Sequence, residues 1–172
     1  MPDPFQLRRV RVERSPLEVF EQFLRRRGKR MTRQRRLIID QIFTHHDHFD
    51  ADELLAHLQE MINKRLVSRP TVYRTLSDLV AAGLLRRMSI GGRSVYEYQY
   101  GYPSHDHLFC QGCNQLSEFQ SPAMEKLCDR VARQYDFQVL GHRLFVIGIC
   151  ARCRAAGRTP EEQTEAPGPF LR

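Results

Sequence analysis

The sequence predicts an α+β chain in two parts: an N-terminal winged helix-turn-helix, then a small α/β domain closed by zinc. Three observations predict it. Four helical periods followed by a hairpin pattern fill residues 15–98, two C-x-x-C pairs bracket the later stretch, and arginine and lysine crowd the first half. At 172 residues with a formal charge of +7, the chain suits one medium domain or two small ones. Two small cores would be thin, so a metal staple in one of them is physically reasonable.

Residues 1–14 show no apolar period and read as a flexible basic arm. Ser15-Pro16 caps and starts a helix whose apolar face is Leu17, Phe20, Phe23 and Leu24, and Gly28 stops it. Thr32 caps a second helix with Ile38, Ile39, Ile42 and Phe43 on its buried side. His45-His46-Asp47-His48 marks a loop, after which Asp50 or Asp52 begins a third helix with the core stripe Leu54, Leu55, Leu58, Met61 and Ile62.

The fourth helix is the most informative. Ser68-Arg69-Pro70-Thr71 forms its cap and first turn, with Pro where a missing N–H does no harm. Val72, Leu76, Leu79 and Val80 make the inner face, and Ala82-Gly83 closes it. Arg69, Thr71, Tyr73, Arg74 and Ser77 remain outside, with the polar and basic groups concentrated in the first turns. A recognition helix presents those turns to the major groove, where Arg reads guanine and Tyr contacts phosphate or a thymine methyl. Leu84 to Ile90, Gly91-Gly92, and Arg93 to Tyr98 then read as a β-hairpin, the wing. The basic balance and sequence pI of about 9.5 agree with a nucleic-acid partner.

The DNA-binding domain so defined spans 15–100, and Gly101-Tyr102-Pro103 reads as a hinge. The second domain spans 104–153. Leu116 to Phe119 is a short strand, Ser121-Pro122 caps a helix with Met124, Leu127, Cys128, Val131 and Tyr135 inward, and Val139-Leu140 and Arg143 to Ile149 supply further strands. Cys128 reads as a buried, inert thiol. From residue 154 to 172, Pro, Gly, Glu and Thr without apolar period indicate a disordered tail.

Two metal-ligand chemistries meet within Ser104-His105-Asp106-His107-Leu108-Phe109-Cys110-Gln111-Gly112-Cys113. Cys110 and Cys113, with Gly112 between them for a φ > 0 turn, pair with the second knuckle Cys150-Ala151-Arg152-Cys153 to make a closed tetrahedral zinc site. Two disulfides are the bland alternative, but no apolar signal region follows Met1 and no run is long enough to span a membrane, so a cytoplasmic protein is expected. A thioredoxin-like redox centre would need one C-x-x-C after a strand, not two. The intervening residues 114–149 exceed the gap of about 15–20 in a zinc ribbon, so the zinc staples the ends of a subdomain. His105, Asp106 and His107 offer nitrogen and oxygen to a second divalent ion.

The order His48, Pro70-Thr71-Val72-Tyr73-Arg74, Gly91-Gly92-Arg93-Ser94-Val95-Tyr96-Glu97 and His105-Asp106-His107-x-x-Cys110-x-x-Cys113 resembles the ferric uptake regulator family of bacterial metalloregulators. The resemblance runs from about Gly28 to Cys153. It implies a winged helix, an α/β dimerisation domain and a metal-activated repressor rather than an enzyme, with Fe(II) control of iron uptake first, and zinc, manganese or peroxide sensing as alternatives. It places structural Zn(II) on Cys110, Cys113, Cys150 and Cys153, and the regulatory metal, Fe(II) or alternatively Zn(II) or Mn(II), on His48, Glu97, His105 and His107 with Glu118 as fifth ligand. One ion drawing on both domains would clamp them in one orientation and link metal to DNA affinity. Peroxide sensors of the family favour Asp where Glu97 stands. Asp106, Glu125 and His142 occupy an additional metal site, with Ser104 in place of the prototype's histidine.

On the DNA side the resemblance implies Tyr73 and Arg74 on the recognition helix, and Arg30 and Arg35 from the approach to the second helix. A two-fold homodimer on a palindromic double-stranded operator follows, with no membrane partner. His45, His46 and His57 read as exposed or supporting groups. A zinc hydrolase built on His105, His107 and a carboxylate is the remote alternative, and it leaves the DNA-binding half unexplained. A metal-storage protein would not need the basic outer face of the fourth helix.

Overall fold

The computed structural model describes residues 5–7, 10–44, 48–90 and 93–158. These fall into two compact units: Arg11–Tyr102, and the residues from Pro103 onward together with residues 5–7 and 10. Among the described residues no helix is long and apolar enough to cross a membrane.

In the first unit, α1 (Pro16–Arg26) opens on a capping box: the Glu18 N–H donates to Ser15 Oγ while the Ser15 N–H donates to the Glu18 carboxylate. Gly28 ends it in the left-handed region at φ 65°. Phe20 and Leu24 are completely buried. Ahead of it, Arg14 of the expected arm donates to Gln22, and its carbonyl accepts from the Tyr100 hydroxyl. Helix α2 (Arg33–Thr44) buries Ile38, Ile39 and Ile42.

The third helical period, expected as one helix, divides at Leu58 into α3 (Ala51–His57, capped by Asp50) and α4 (Gln59–Asn63). The bend leaves Leu58 fully buried and turns Met61 and Ile62 onto the edge of the core. Helix α5 (Arg69–Ala81) follows, with Val72, Leu76 and Leu79 at zero exposure. Strands β2 (Leu85–Ile90) and β3 (Arg93–Tyr98) form the expected antiparallel hairpin. A strand that the sequence did not announce, β1 (Phe49–Asp50), adds to the other edge of β3 and gives the order β1-β3-β2. Two residues are too few to show a period. The loop His45-His46-Asp47 and the turn Gly91-Gly92 lie outside the described residues.

In the second unit β4 (Asp106–Cys110) is the central strand, antiparallel to β5 (Leu116–Phe119) and parallel to β6 (Phe145–Gly148). Only Phe145–Gly148 of the expected later strands forms. Val139-Leu140 has no strand partner, and Leu140 is 92% exposed. Helix α6 (Pro122–Gln134) is capped by Ser121, whose Oγ accepts from the Met124 N–H. Its inward face is narrower than expected. Met124 and Cys128 are part-buried and Ala132 is buried, while Leu127, Val131 and Tyr135, one position behind on the same four-residue spacing, face out. Cys128 is therefore half-buried rather than buried. Helix α7 (Ala151–Ala155) runs past Cys153, and the Arg158 N–H still bonds the Cys153 carbonyl. Residues 159–172 of the expected tail lie outside the described residues.

Candidate metal centres and nucleic-acid face

Cys110 ends β4 and Cys113 follows in the turn beyond it; Cys150 caps α7 and Cys153 lies within it. Their four sulfurs lie within 4.8 Å of one another. Cys113 Sγ and Cys150 Sγ are 3.9 Å apart, against roughly 3.8 Å for two thiolates on a tetrahedral zinc with Zn–S of about 2.3 Å. A disulfide needs about 2.05 Å, and all five cysteines are free. The donor set fits zinc. The Cys150 N–H donates to Cys110 Sγ at 3.2 Å, and this bond draws the Cys110 thiol down to about 6. Backbone hydrogen bonding also lowers Cys113, whereas burial pushes Cys153 up to about 12. Thiolate character is thus built in at Cys110 and Cys113 and must be drawn out by a cation at Cys153.

Gly112 does not fill the role the spacing suggested. It is not among the residues at positive φ; Asn114, at φ 56°, takes that role in the turn. A Cβ on Gly112 would instead meet the Cys153 Cβ and Sγ at 3.1 and 3.2 Å. A side chain there would press on Cys153, which would have to give by a few tenths of an ångström.

Upstream, His105 immediately precedes β4 and His107 lies within it, and the two-residue period of extended backbone puts them on one face. Glu118 of β5 is the cross-strand partner of His107, and its Oε1 is 3.6 Å from His105 Nε2. All three bring a potential ligand atom within 4.8 Å of one another. His105 Nδ1 lies 2.8 Å from the Pro103 carbonyl, a bond that places the proton on Nδ1 and directs Nε2 to a metal. The His107 ring stacks on Phe145 at 4.6 Å, which fixes its plane. Imidazole and carboxylate donors in this arrangement suit Fe(II), Mn(II) or Zn(II).

The first unit holds the other two expected regulatory ligands. His48 precedes β1, and the pairing of Phe49 with Tyr96 sets it opposite Glu97 on β3. His48 Nε2 and Glu97 Oε2 are 3.7 Å apart. Arg86, the cross-strand partner of Glu97 on β2, donates to Oε1 at 3.0 Å. Each carboxylate oxygen therefore has its own neighbour. Sequence reasoning missed both β1 and Arg86.

Two of the three residues expected at the additional site approach each other. Asp106 Oδ2 is 3.3 Å from His142 Nε2, and Oδ1 accepts the Leu144 N–H at 2.8 Å. Glu125 is exposed on α6, and among the described residues it joins no metal-capable cluster with that pair. Asp106 faces away from His105 and His107 because alternate residues of β4 point to opposite sides, and it serves to hold the segment before β6.

A cleft of about 990 Å³ runs between the approach to α2 and the outer face of α5, lined by Arg30, Arg33, Thr71, Tyr73, Arg74 and Ser77 among others. Tyr73 and Arg74 are exposed, and Arg74 donates to Thr71 Oγ1, which also bonds Ser68 Oγ. Arg69 is exposed on the first turn of α5. Arg35 behaves differently from the rest. Its side chain is 13% exposed, and Nη2 donates to Asp78 Oδ2 at 2.8 Å. Lys29 takes the other oxygen. Asp78 and Lys29 escaped the sequence reading; the signal was an Asp between Leu76 and Leu79 beside an apolar stripe, within reach of an arginine-rich segment.

The model of the ferric uptake regulator family matches residues 26–147. The chain is 37% identical over 126 residues to a ferric uptake regulation protein of Brucella abortus, covering 73% of this chain and 87% of that one. Among solved structures it is similar to the ferric uptake regulator of Vibrio cholerae, with 30% identity and a TM-score of 0.62 over 76% of this chain and 98% of that one. It is also similar to a zinc-bound manganese uptake regulator, with 36% identity and a TM-score of 0.58 over 77% and 98%.

Proposed function

Because the chain belongs to the ferric uptake regulator family, a family of metal-dependent transcriptional regulators rather than enzymes, we propose that it is a repressor of iron-uptake genes that binds DNA when charged with Fe(II). The observation that carries this reading is the separation of donor chemistries. A four-thiolate cluster suits a permanent zinc, and a separate imidazole–carboxylate cluster around the start of β4 suits an exchangeable divalent ion. Cys110, Cys113, Cys150 and Cys153 hold the zinc in this proposal. His105, His107 and Glu118 from the second unit, with His48 and Glu97 from the first, hold the regulatory metal.

That metal supplies a positive centre that carboxylates and imidazoles of both units prefer to share. Nδ1 of His105 holds its proton on the Pro103 carbonyl, which would leave Nε2 to ligate, and Arg86 holds one Glu97 oxygen, which would leave the other as the ligand atom. An ion with ligands in both units selects one relative orientation, and selection of the DNA-competent one makes metal and DNA affinities reciprocal. Arg30, Arg69, Thr71, Tyr73 and Arg74 then meet double-stranded DNA. The outward stripe Leu127, Val131 and Tyr135 of α6 supports a homodimer on a palindromic site. A cytoplasmic location follows from a DNA partner and free thiols.

The similarity to a manganese uptake regulator with bound zinc supports a second reading, in which Mn(II) or Zn(II) is the signal. Anaerobic titration of binding to the gene's own upstream DNA with Fe(II), Mn(II) and Zn(II) in turn separates them. Activation by Fe(II), with zinc needed only for the thiolate cluster, is expected; activation by Zn(II) or Mn(II) alone at far lower free concentration would overturn the iron assignment.

A further inference from the structure

We propose that Asp78 is the positioning residue of the DNA-binding face, and that Arg35 serves Asp78 rather than the nucleic acid. This inference rests on the DNA-binding reading above. Asp78 lies one helical turn beyond Arg74 on α5 and lines the same cleft. A carboxylate on that surface is repelled by phosphates, so it gains nothing there as a DNA ligand. It is only 7% exposed, and each of its oxygens is taken by a different cation: Oδ1 by Lys29 at 2.5 Å and Oδ2 by Arg35 at 2.8 Å.

Those cations come from separate segments. Lys29 sits between α1 and α2, Arg35 in the first turn of α2, and Asp78 late in α5. One carboxylate thereby ties together the stretches that carry Arg30, Arg33, Tyr73 and Arg74. Any other tilt of α5 strands a buried charge without its partner, which is strongly unfavourable. The second guanidinium nitrogen of Arg35, Nη1, is itself buried and has no hydrogen-bond partner among the described residues, so it is not offered to a phosphate. The assignment separates groups that read DNA from groups that hold the reading face in register.

Asp78→Asn tests it, because charge and positioning predict opposite signs. The probes are a duplex selected from a random pool by the unsubstituted, metal-loaded protein, and a scrambled duplex of equal length. Positioning predicts that the ratio of selected to scrambled affinity falls at least tenfold. The scrambled affinity rises and its salt dependence steepens, since Lys29 and Arg35 are released toward phosphate. A ratio that changes less than tenfold, with both affinities rising together, would overturn the proposal. If the variant fails to fold by circular dichroism, Arg35→Gln decides. Lower selected affinity at an unchanged salt slope supports positioning, and a slope shallower by about 0.9 per protomer makes Arg35 a phosphate contact. Failure of the unsubstituted protein to select any duplex is a distinct result and rejects the DNA-binding reading itself.

Discussion

The winged-helix unit buries Phe20, Leu24, Ile38, Leu58, Val72, Leu76, Leu79, Leu84 and Leu85 completely, whereas the buried apolar groups described in the second unit are Phe109, Ala132 and the thiols Cys110 and Cys153. Leu108, Leu127, Val131, Tyr135, Phe137, Leu140, Val146 and Ile147 of that unit stand exposed. The first unit closes on its own side chains. The second does not, and a small domain with so little core needs a metal, a covering partner or both. The contrast separates two kinds of stability in one chain, and each can be removed without the other.

Zinc removal should have the largest effect. Apparent binding free energies of structural zinc in small domains are about 10–16 kcal/mol, so stripping it with a strong chelator, or replacing Cys110 by Ser, should unfold residues 103–158. The cooperative unfolding of residues 11–102 should survive. Amide hydrogen exchange resolves the two: β4, β5 and β6 lose protection while α1, α2 and α5 keep theirs. Equal loss in both units would remove the distinction. The mirror experiment is Leu76→Ala, which deletes a fully buried side chain from the first core and should cost about 2–5 kcal/mol there. Zinc stoichiometry should stay at one per chain, measured by metal analysis of the folded variant.

This contrast also explains what could be read without coordinates. In the first unit, periodicity and burial are the same physics, so the stripes Phe20-Leu24, Ile38-Ile39-Ile42 and Val72-Leu76-Leu79 announced both the helices and their inner faces. In the second unit an apolar stripe does not distinguish a core from a surface kept for a partner, and Leu127, Val131 and Tyr135 were accordingly expected inside. The cysteine cluster was legible from spacing because thiolates have few other reasons to occur in two C-x-x-C pairs. Central strand β4 was not, since His105, Asp106 and His107 break the apolar alternation that marks a strand. Asp78 was hidden for a related reason. A charge paired across α2 and α5 has no periodic signature, and its partners are 43 and 49 residues distant in sequence.

The outward stripe of α6 sharpens the comparison if it is covered by a second copy. Val131→Asp places a charge on that surface and should weaken self-association at least tenfold, or about 1.4 kcal/mol, by sedimentation equilibrium. The zinc site and the isolated fold should persist, because Val131 is 46% exposed within one chain. An unchanged dimer would move the interface elsewhere, to the exposed side of β4 and β6 with Leu108, Val146 and Ile147.

The smallest effect belongs to the entry of α1, where the first unit adds local capping to a core that already closes. Ser15→Ala removes the hydroxyl that accepts the Glu18 N–H and donates to the Glu18 carboxylate, at a cost of about 1 kcal/mol. Hydrogen bonds from the Ser15 backbone and hydroxyl, helped by Arg14, hold the Glu18 carboxyl below its ordinary value. A lowered carboxyl pKa stabilises the fold above the unfolded value, about 4.3 for Glu, and the contribution is lost as the pH falls through the folded one. The cap should therefore weaken under mild acid in the parent and weaken less in Ser15→Ala, where one of the two bonds is already gone. Thermal melts of both proteins from neutral pH down through that range measure it. Parallel melting curves at every pH would mean that the ionised Glu18 carboxylate contributes nothing to the start of the helix.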